Sequence, residues 1–169
     1  MIDRIPASGG HTLPELLAML GIAAILAVAA VPVFSNLLLE SRMNATVSTA
    51  LHAVNLARQF SATRSEAVSL CGMDRLGGCS GDPDWSAGFV VTVEPGEFRH
   101  HLGLAGPTRP RIRSNRAILD FEAGTGFATP ATLTICDRRG ARAARAVIVS
   151  RSGRPRSSTR DASDRVLSC

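Results

Sequence analysis

Residues 149–160, VSRSGRPRSSTR, place four arginines, Arg151, Arg154, Arg156 and Arg160, within ten positions. A guanidinium is planar, stays charged at any physiological pH and pairs bidentately with phosphate oxygens. The neighbouring residues favour display of those charges. Pro155 pushes Arg154 away from helical geometry, and Gly153 permits a close approach of backbone to ligand that a Cβ would block. Phosphate contact is therefore the chemistry this stretch can do. Base reading is poorly provided for, because Phe121 and Phe127 are the only aromatics after residue 100 and stacking platforms are scarce. The expected mode is backbone contact, with little sequence preference and a strong salt dependence. The competing reading is a solvated hairpin tip whose arginines pair with Asp161 and Asp164.

The charge balance points the same way. All 19 basic residues are arginine, and the net charge is +5. Residues 11–100 carry a balance of −3 and residues 101–169 a balance of +8. Arg109, Arg111, Arg113 and Arg116 form one further cluster, and Arg138, Arg139, Arg142 and Arg145 another. A basic half suits an anionic partner, whether nucleic acid, anionic lipid or acidic protein, or else a solvated surface.

A lone carboxylate, Glu15, stands at the edge of an uncharged run from Leu16 to Leu39. As a helix those 24 residues would span roughly 36 Å, enough for a hydrocarbon core of about 30 Å. A carboxylate in lipid costs about 2.5–3.5 kcal/mol at a helix centre, and less near an N-terminus, where the helix dipole favours it. Pro32 should kink or locally melt the helix. An ordinary secretory signal has its cleavage site after the apolar region. Here MIDRIPASGG precedes it, so that cleavage at Gly10 would leave the helix attached.

Cys71, Cys79, Cys136 and Cys169 form no C-x-x-C pair and have no histidine at ligand spacing, which argues against zinc. An even count behind a membrane-targeting segment reads as disulfides. Three pairings are possible. Cys71–Cys79, closing a Gly-rich loop, with Cys136–Cys169, tying down the C-terminus, is favoured over the others and over free thiols. His11, His52, His100 and His101 fall in no metal or nucleophile motif, and Asp82-Pro83-Asp84 is explained by turn chemistry. The chain is read as no enzyme, with no cofactor and no metal.

GGHTLPELL followed by a long apolar helix resembles the class III signal of type IV pilins and type II secretion pseudopilins, usually G-F-T-L-x-E-L. The resemblance implies that a prepilin peptidase cuts after Gly10 and methylates the new amine of His11. It also implies that Glu15 sets assembly register by meeting the N-terminal amine of a neighbouring subunit. His11 replaces the usual Phe, and Pro14 stands at a variable position. The helix, the cysteines, TICDRRG and a terminal SGRPR…C together resemble the GspH/FimT branch of minor pilins, closest to its FimT-like members. There a G-R-x-R motif is implicated in binding DNA during natural transformation, which carries over to Gly153, Arg154, Pro155 and Arg156. Arg151 and Arg160 are added on proximity alone.

The implied partners are double-stranded DNA, other major and minor pilins, the prepilin peptidase and the inner membrane. The implied location is a single pass of the bacterial inner membrane with a periplasmic domain, assembled into a pilus on the cell surface. The alternative is a minor pilin, or a GspH-like pseudopilin of type II secretion, that primes filament assembly without binding DNA.

The elements that must position these residues follow from patterning. Residues 1–10 are expected to be a leader, 11–39 a transmembrane and filament-core helix, and 40–169 a globular domain that includes the rest of the helix. Val47, Ala50, Val54 and Ala57 make one helical stripe, and Leu56, Phe60, Thr63, Ala67 and Leu70 a second, ended by Cys71-Gly72. Strands are expected at Gly88–Val93, Ala117–Phe121, Ala131–Cys136 and Ala146–Ser150, with Val166–Cys169 pairing as well. Trp85 reads as a core anchor, and residues 152–164 as a mobile loop. The fold class is α+β and type IV pilin-like, a long N-terminal helix packed on antiparallel sheets.

Overall fold

The computed structural model describes residues 12–93, 98–104 and 109–169. One helix, α1, runs from Leu13 to Arg64. The chain divides into two compact units at the Leu38–Leu39 boundary, which falls within α1. In the first unit α1 is apolar all round. Its best 18-residue window has a mean hydropathy of 2.6 with none of that window buried, and Leu16, Leu20, Ile25, Val28 and Phe34 are all exposed. A helix with no polar face buries itself in lipid or among other helices.

In the second unit α1 has a single buried face. Leu39, Met43, Val47, Ala50, Val54 and Ala57 recur at three- and four-residue steps and are buried, with Ser61 continuing the row. Alanines at 50, 53 and 57 let the backbone lie close to its neighbours. The first of the two expected stripes is thus the core face, and Leu56 and Phe60 of the second are half-buried against it.

The second stripe does not continue. Ser65, in the left-handed region (φ 54°), ends the helix, and Ala67 is exposed. Leu70 belongs to a strand, β1 (Val68–Gly72). A short run such as VSLCG, buried on both faces, carries no period of its own and so fits a helical template as well as a strand.

The remaining strands are β2 (Gly88–Val93), β3 (Phe98–Gly103), β4 (Arg111–Ser114), β5 (Ile118–Phe121), β6 (Ala131–Cys136), β7 (Arg145–Val149) and β8 (Pro155–Ser158). They form two antiparallel four-stranded sheets, ordered β3-β2-β1-β5 and β4-β6-β7-β8. Strands β2 and β6 lie where the patterning places them, while β5 starts one residue later and β7 is shifted by one residue at both ends. β3, β4 and β8 lie outside the patterning, because FRHHLG carries charge or polarity on half its positions, RIRS and PRSS on most, and β8 lies at a sheet edge. Val166–Cys169 forms no strand. It contributes one bridge, Arg160 with Val166, and buries Leu167 against Cys136, Ala144, Ala146 and Ile148.

Residues of α1 and of both sheets share one core. Trp85 is fully buried in it and meets Phe89 edge-to-face at 6.0 Å. Gly72 is required beside it, since a Cβ there would stand 2.6 Å from the indole. The disulfides are Cys71–Cys79 and Cys136–Cys169, the pairing favoured from the sequence.

Candidate nucleic-acid interface

The arginine-rich stretch is the β7–β8 hairpin, closed by the cross-strand pair Val149 and Pro155. Its turn is tightly bonded. The Ser150 amide donates to the Arg154 carbonyl at 3.1 Å and the Gly153 amide to the Ser150 carbonyl at 2.9 Å. The Ser150 hydroxyl donates to the Arg154 carbonyl and accepts from the Arg154 amide. Two other segments hold the turn from outside. Arg58 of α1 donates Nε–H to the Ser152 carbonyl at 3.1 Å, and the Ala128 amide donates to the Arg151 carbonyl at 2.9 Å.

Gly153 is buried, with φ 70°. A Cβ there would collide with the Gly126 carbonyl oxygen and press on the Arg58 side chain. The close approach that this glycine allows is thus to the protein's own backbone. The glycine serves the hairpin's seating, and the arginines are what it presents.

Arg151, Arg154 and Arg156 are exposed. Pro155 opens β8, where its missing N–H costs little at an edge position. Arg156 lies opposite Ile148 on the sheet face turned away from the shared core. The nearby acids are engaged elsewhere. Asp161 binds Arg165 at 2.8 Å, and its carboxyl is held below the usual range, chiefly by the Arg165 amide. Asp164 lies 3.7 Å from Arg160, both well exposed, and its carbonyl accepts from Arg160 Nη1 at 2.8 Å. Among the described residues Arg151, Arg154 and Arg156 have no side-chain ion pair. The structure brings these three together on one hairpin and leaves Arg160 beyond it, occupied by a local turn.

The cluster at 138–145 divides. Arg139 binds Glu40 of α1 at 2.8 Å and Asp137 at 2.7 Å, and Arg145 reaches Glu40 at 3.2 Å. Burial of Asp137 works against its charge, but the Arg139 hydrogen bonds and charge outweigh it and hold the carboxyl below its usual value. Two of the four arginines are thus structural, while Arg138 and Arg142 are exposed. In the earlier cluster, Arg116 caps the Pro130 carbonyl at 3.0 Å, and Arg111 and Arg113 project from β4.

Gly10 and His11 lie outside the described residues. Glu15 sits in the first turn of α1 and accepts a hydrogen bond from the Thr12 amide at 3.4 Å. Thr-Leu-Pro-Glu is a capping-box sequence, visible in the sequence as T-x-x-E. Among the described residues no group of three or more His, Cys, Asp or Glu is placed to hold a metal ion.

The family model for the type II transport protein GspH matches residues 46–153. The chain belongs to the GspH family. The matched span takes in most of the second unit's helix, one whole sheet and all but β8 of the other, and ends at Gly153, so Arg154, Pro155 and Arg156 lie just past it. Two crystal structures of the Pseudomonas aeruginosa type IV minor pilin FimU share the fold at 18% identity. One gives a TM-score of 0.54 over 75% of this chain and 98% of that chain, the other 0.55 over 76% and 96%. No curated protein is significantly similar in sequence.

Proposed function

We propose that this GspH-family minor pilin binds double-stranded DNA without sequence preference, through Arg154 and Arg156 with Arg151 beside them, during DNA uptake. One observation carries the reading: three exposed arginines without acidic partners among the described residues stand on a hairpin whose backbone is fixed by α1 and by the 126–128 segment. Charges without partners that need no reordering suit phosphate contact. Arg160 joins only by releasing Asp164. Duplexes of unrelated sequence, titrated against the full chain in nonionic detergent at several salt concentrations, test this. Salt-sensitive binding that disappears in Arg154→Ala/Arg156→Ala supports it, and undiminished binding by that variant overturns it.

The N-terminal segment supports the rest of the reading. Residues 1–10 are a leader cut after Gly10 by a prepilin peptidase, and His11 becomes the methylated N-terminus. The helix to residue 39 holds the chain in the inner membrane until it joins other pilins, with 40–169 periplasmic. Glu15 bonds a Thr12 amide within its own chain and meets a neighbour's N-terminal amine on assembly. Glu15→Ala should leave membrane insertion intact and impair entry into filaments; normal incorporation would remove the register role.

The second reading, a filament-priming subunit of a pilus or of type II secretion, is favoured by the position of the family match, which stops before Arg154. In that case the hairpin arginines meet acidic partner subunits.

A further inference from the structure

The outer face of the β4-β6-β7-β8 sheet is crossed by the chain's final residues. Leu167 is buried there against Cys136, Ala144, Ala146 and Ile148, and Cys169 is bonded to Cys136 of β6. Between this segment and β4 lies a groove of about 450 Å³, lined by Arg109, Arg111, Arg113, Arg138, Thr134 and Ser168. Arg111 and Arg113 are two residues apart on one strand and face the same way, opposite Cys136 and Thr134. Among the described residues none of these four guanidinium groups makes a side-chain hydrogen bond or ion pair.

The acids nearby are already committed. Asp137, the one acidic side chain lining the groove, accepts from the Arg139 amide at 2.8 Å and from Arg139 Nε at 2.9 Å. Asp84, at the edge beside Arg113, accepts from the Ser86 amide and hydroxyl. Arg111 and Arg113 lie close enough to Asp84, and Arg138 to Asp137, for their charges to favour those carboxylates, but four guanidiniums against two carboxylates leave an excess of positive charge beside two hydroxyls, and an anion with many acceptor oxygens relieves it. The volume encloses a few phosphoryl groups and is far too small for a duplex.

We propose that this groove is a binding site for a compact phosphate polyanion, an oligophosphate or a phosphorylated headgroup. It is separate from the Arg154/Arg156 hairpin and is kept in shape by the Cys136–Cys169 disulfide. It does not depend on the hairpin binding DNA.

The test titrates tripolyphosphate against the full chain in nonionic detergent by calorimetry. Binding is expected to saturate. It should weaken by at least about tenfold in Arg111→Ala/Arg113→Ala, as the loss of charge-assisted hydrogen bonds implies, and by less than about twofold in Arg154→Ala/Arg156→Ala. Reduction with dithiothreitol should weaken it as the first variant does. Should the β4 variant fold poorly, Arg138→Ala replaces it, since Arg138 is exposed and its loss should weaken binding several-fold. Micelles doped with a phosphomonoester lipid separate the sources. Competition with tripolyphosphate marks a headgroup, and its absence a soluble oligophosphate; both support the site. Three results overturn it: no saturable binding, equal losses in the two double variants (which would mean net charge alone), or unchanged binding after reduction.

Discussion

Gly153 and Gly126 meet backbone to backbone, the first placed so that a single added methyl group would strike the carbonyl oxygen of the second. Both have positive φ, 70° and 67°. The seating of the arginine hairpin therefore rests on two residues without side chains, and the arginines take their positions from that seat.

Gly153→Ala should be strongly destabilising. Backbone strain and overpacking together cost about 2–4 kcal/mol. Gly81 provides the control, since it has φ 67° but open space around its would-be Cβ, and its change to alanine should cost about 1–2 kcal/mol, from strain alone. Urea denaturation of both variants separates the two terms. Equal losses would mean that contact with Gly126 contributes nothing.

If Arg154 and Arg156 each neutralise a phosphate, the salt dependence should record it. Each contact contributes about −0.9 to the slope of log K against log salt, so the Arg154→Ala/Arg156→Ala variant should show a slope shallower by about 2. Stability should move by less than about 0.5 kcal/mol, since both side chains are exposed and without salt bridges among the described residues. A weakened affinity with an unchanged slope would point to a rearranged hairpin.

Asp137 gives the stability an acid limb. Its carboxyl titrates below its unfolded value in the folded chain, so the unfolded chain takes up the proton first. The stabilisation is complete above about pH 4, the unfolded carboxylate range, and is lost as pH falls through the lower folded value. Asp137→Asn should flatten this limb while Arg139 keeps Glu40. Thermal melts at descending pH check it, and an unaltered acid limb would place the effect elsewhere.

The two disulfides close loops of different length, with separations of 8 and 33 residues. Loop-closure entropy gives about 2.5 kcal/mol for the first and about 3.7 kcal/mol for the second. Cys136→Ser/Cys169→Ser should therefore cost more stability than Cys71→Ser/Cys79→Ser. Denaturation midpoints of the two pairs decide this, and the opposite order would mean native-state contacts outweigh chain entropy.

The fold class was legible because its strongest features are local. The uncharged run of residues 16–39 and the stripe of Val47, Ala50, Val54 and Ala57 can be read without knowing any partner. ATLTIC alternates as a half-buried strand should, and its even positions turn out buried less fully than its odd ones. The strands that escaped notice take their stability from neighbours: PRSS is a strand only because β7 pairs with it, and RIRS only because β6 does. The candidate site was visible as a cluster of charges, but not its internal economy. No local pattern says that Arg139 and Arg145 are taken up by Glu40, 99 and 105 residues away, or that Arg58 holds Ser152. For Gly153 the sequence suggests that a glycine is needed without showing that it faces the Gly126 carbonyl oxygen.

Strand β8 lies at the end of its sheet, with a free side toward solvent. An open edge is a template for a strand of another copy. This edge begins with a residue that has no amide proton to offer and carries Arg154 and Arg156 on either side of it. Two such edges approaching one another would lack a donor and bring like charges into register. The arginines beside this strand thus also deter the protein from pairing this edge with a second copy of itself.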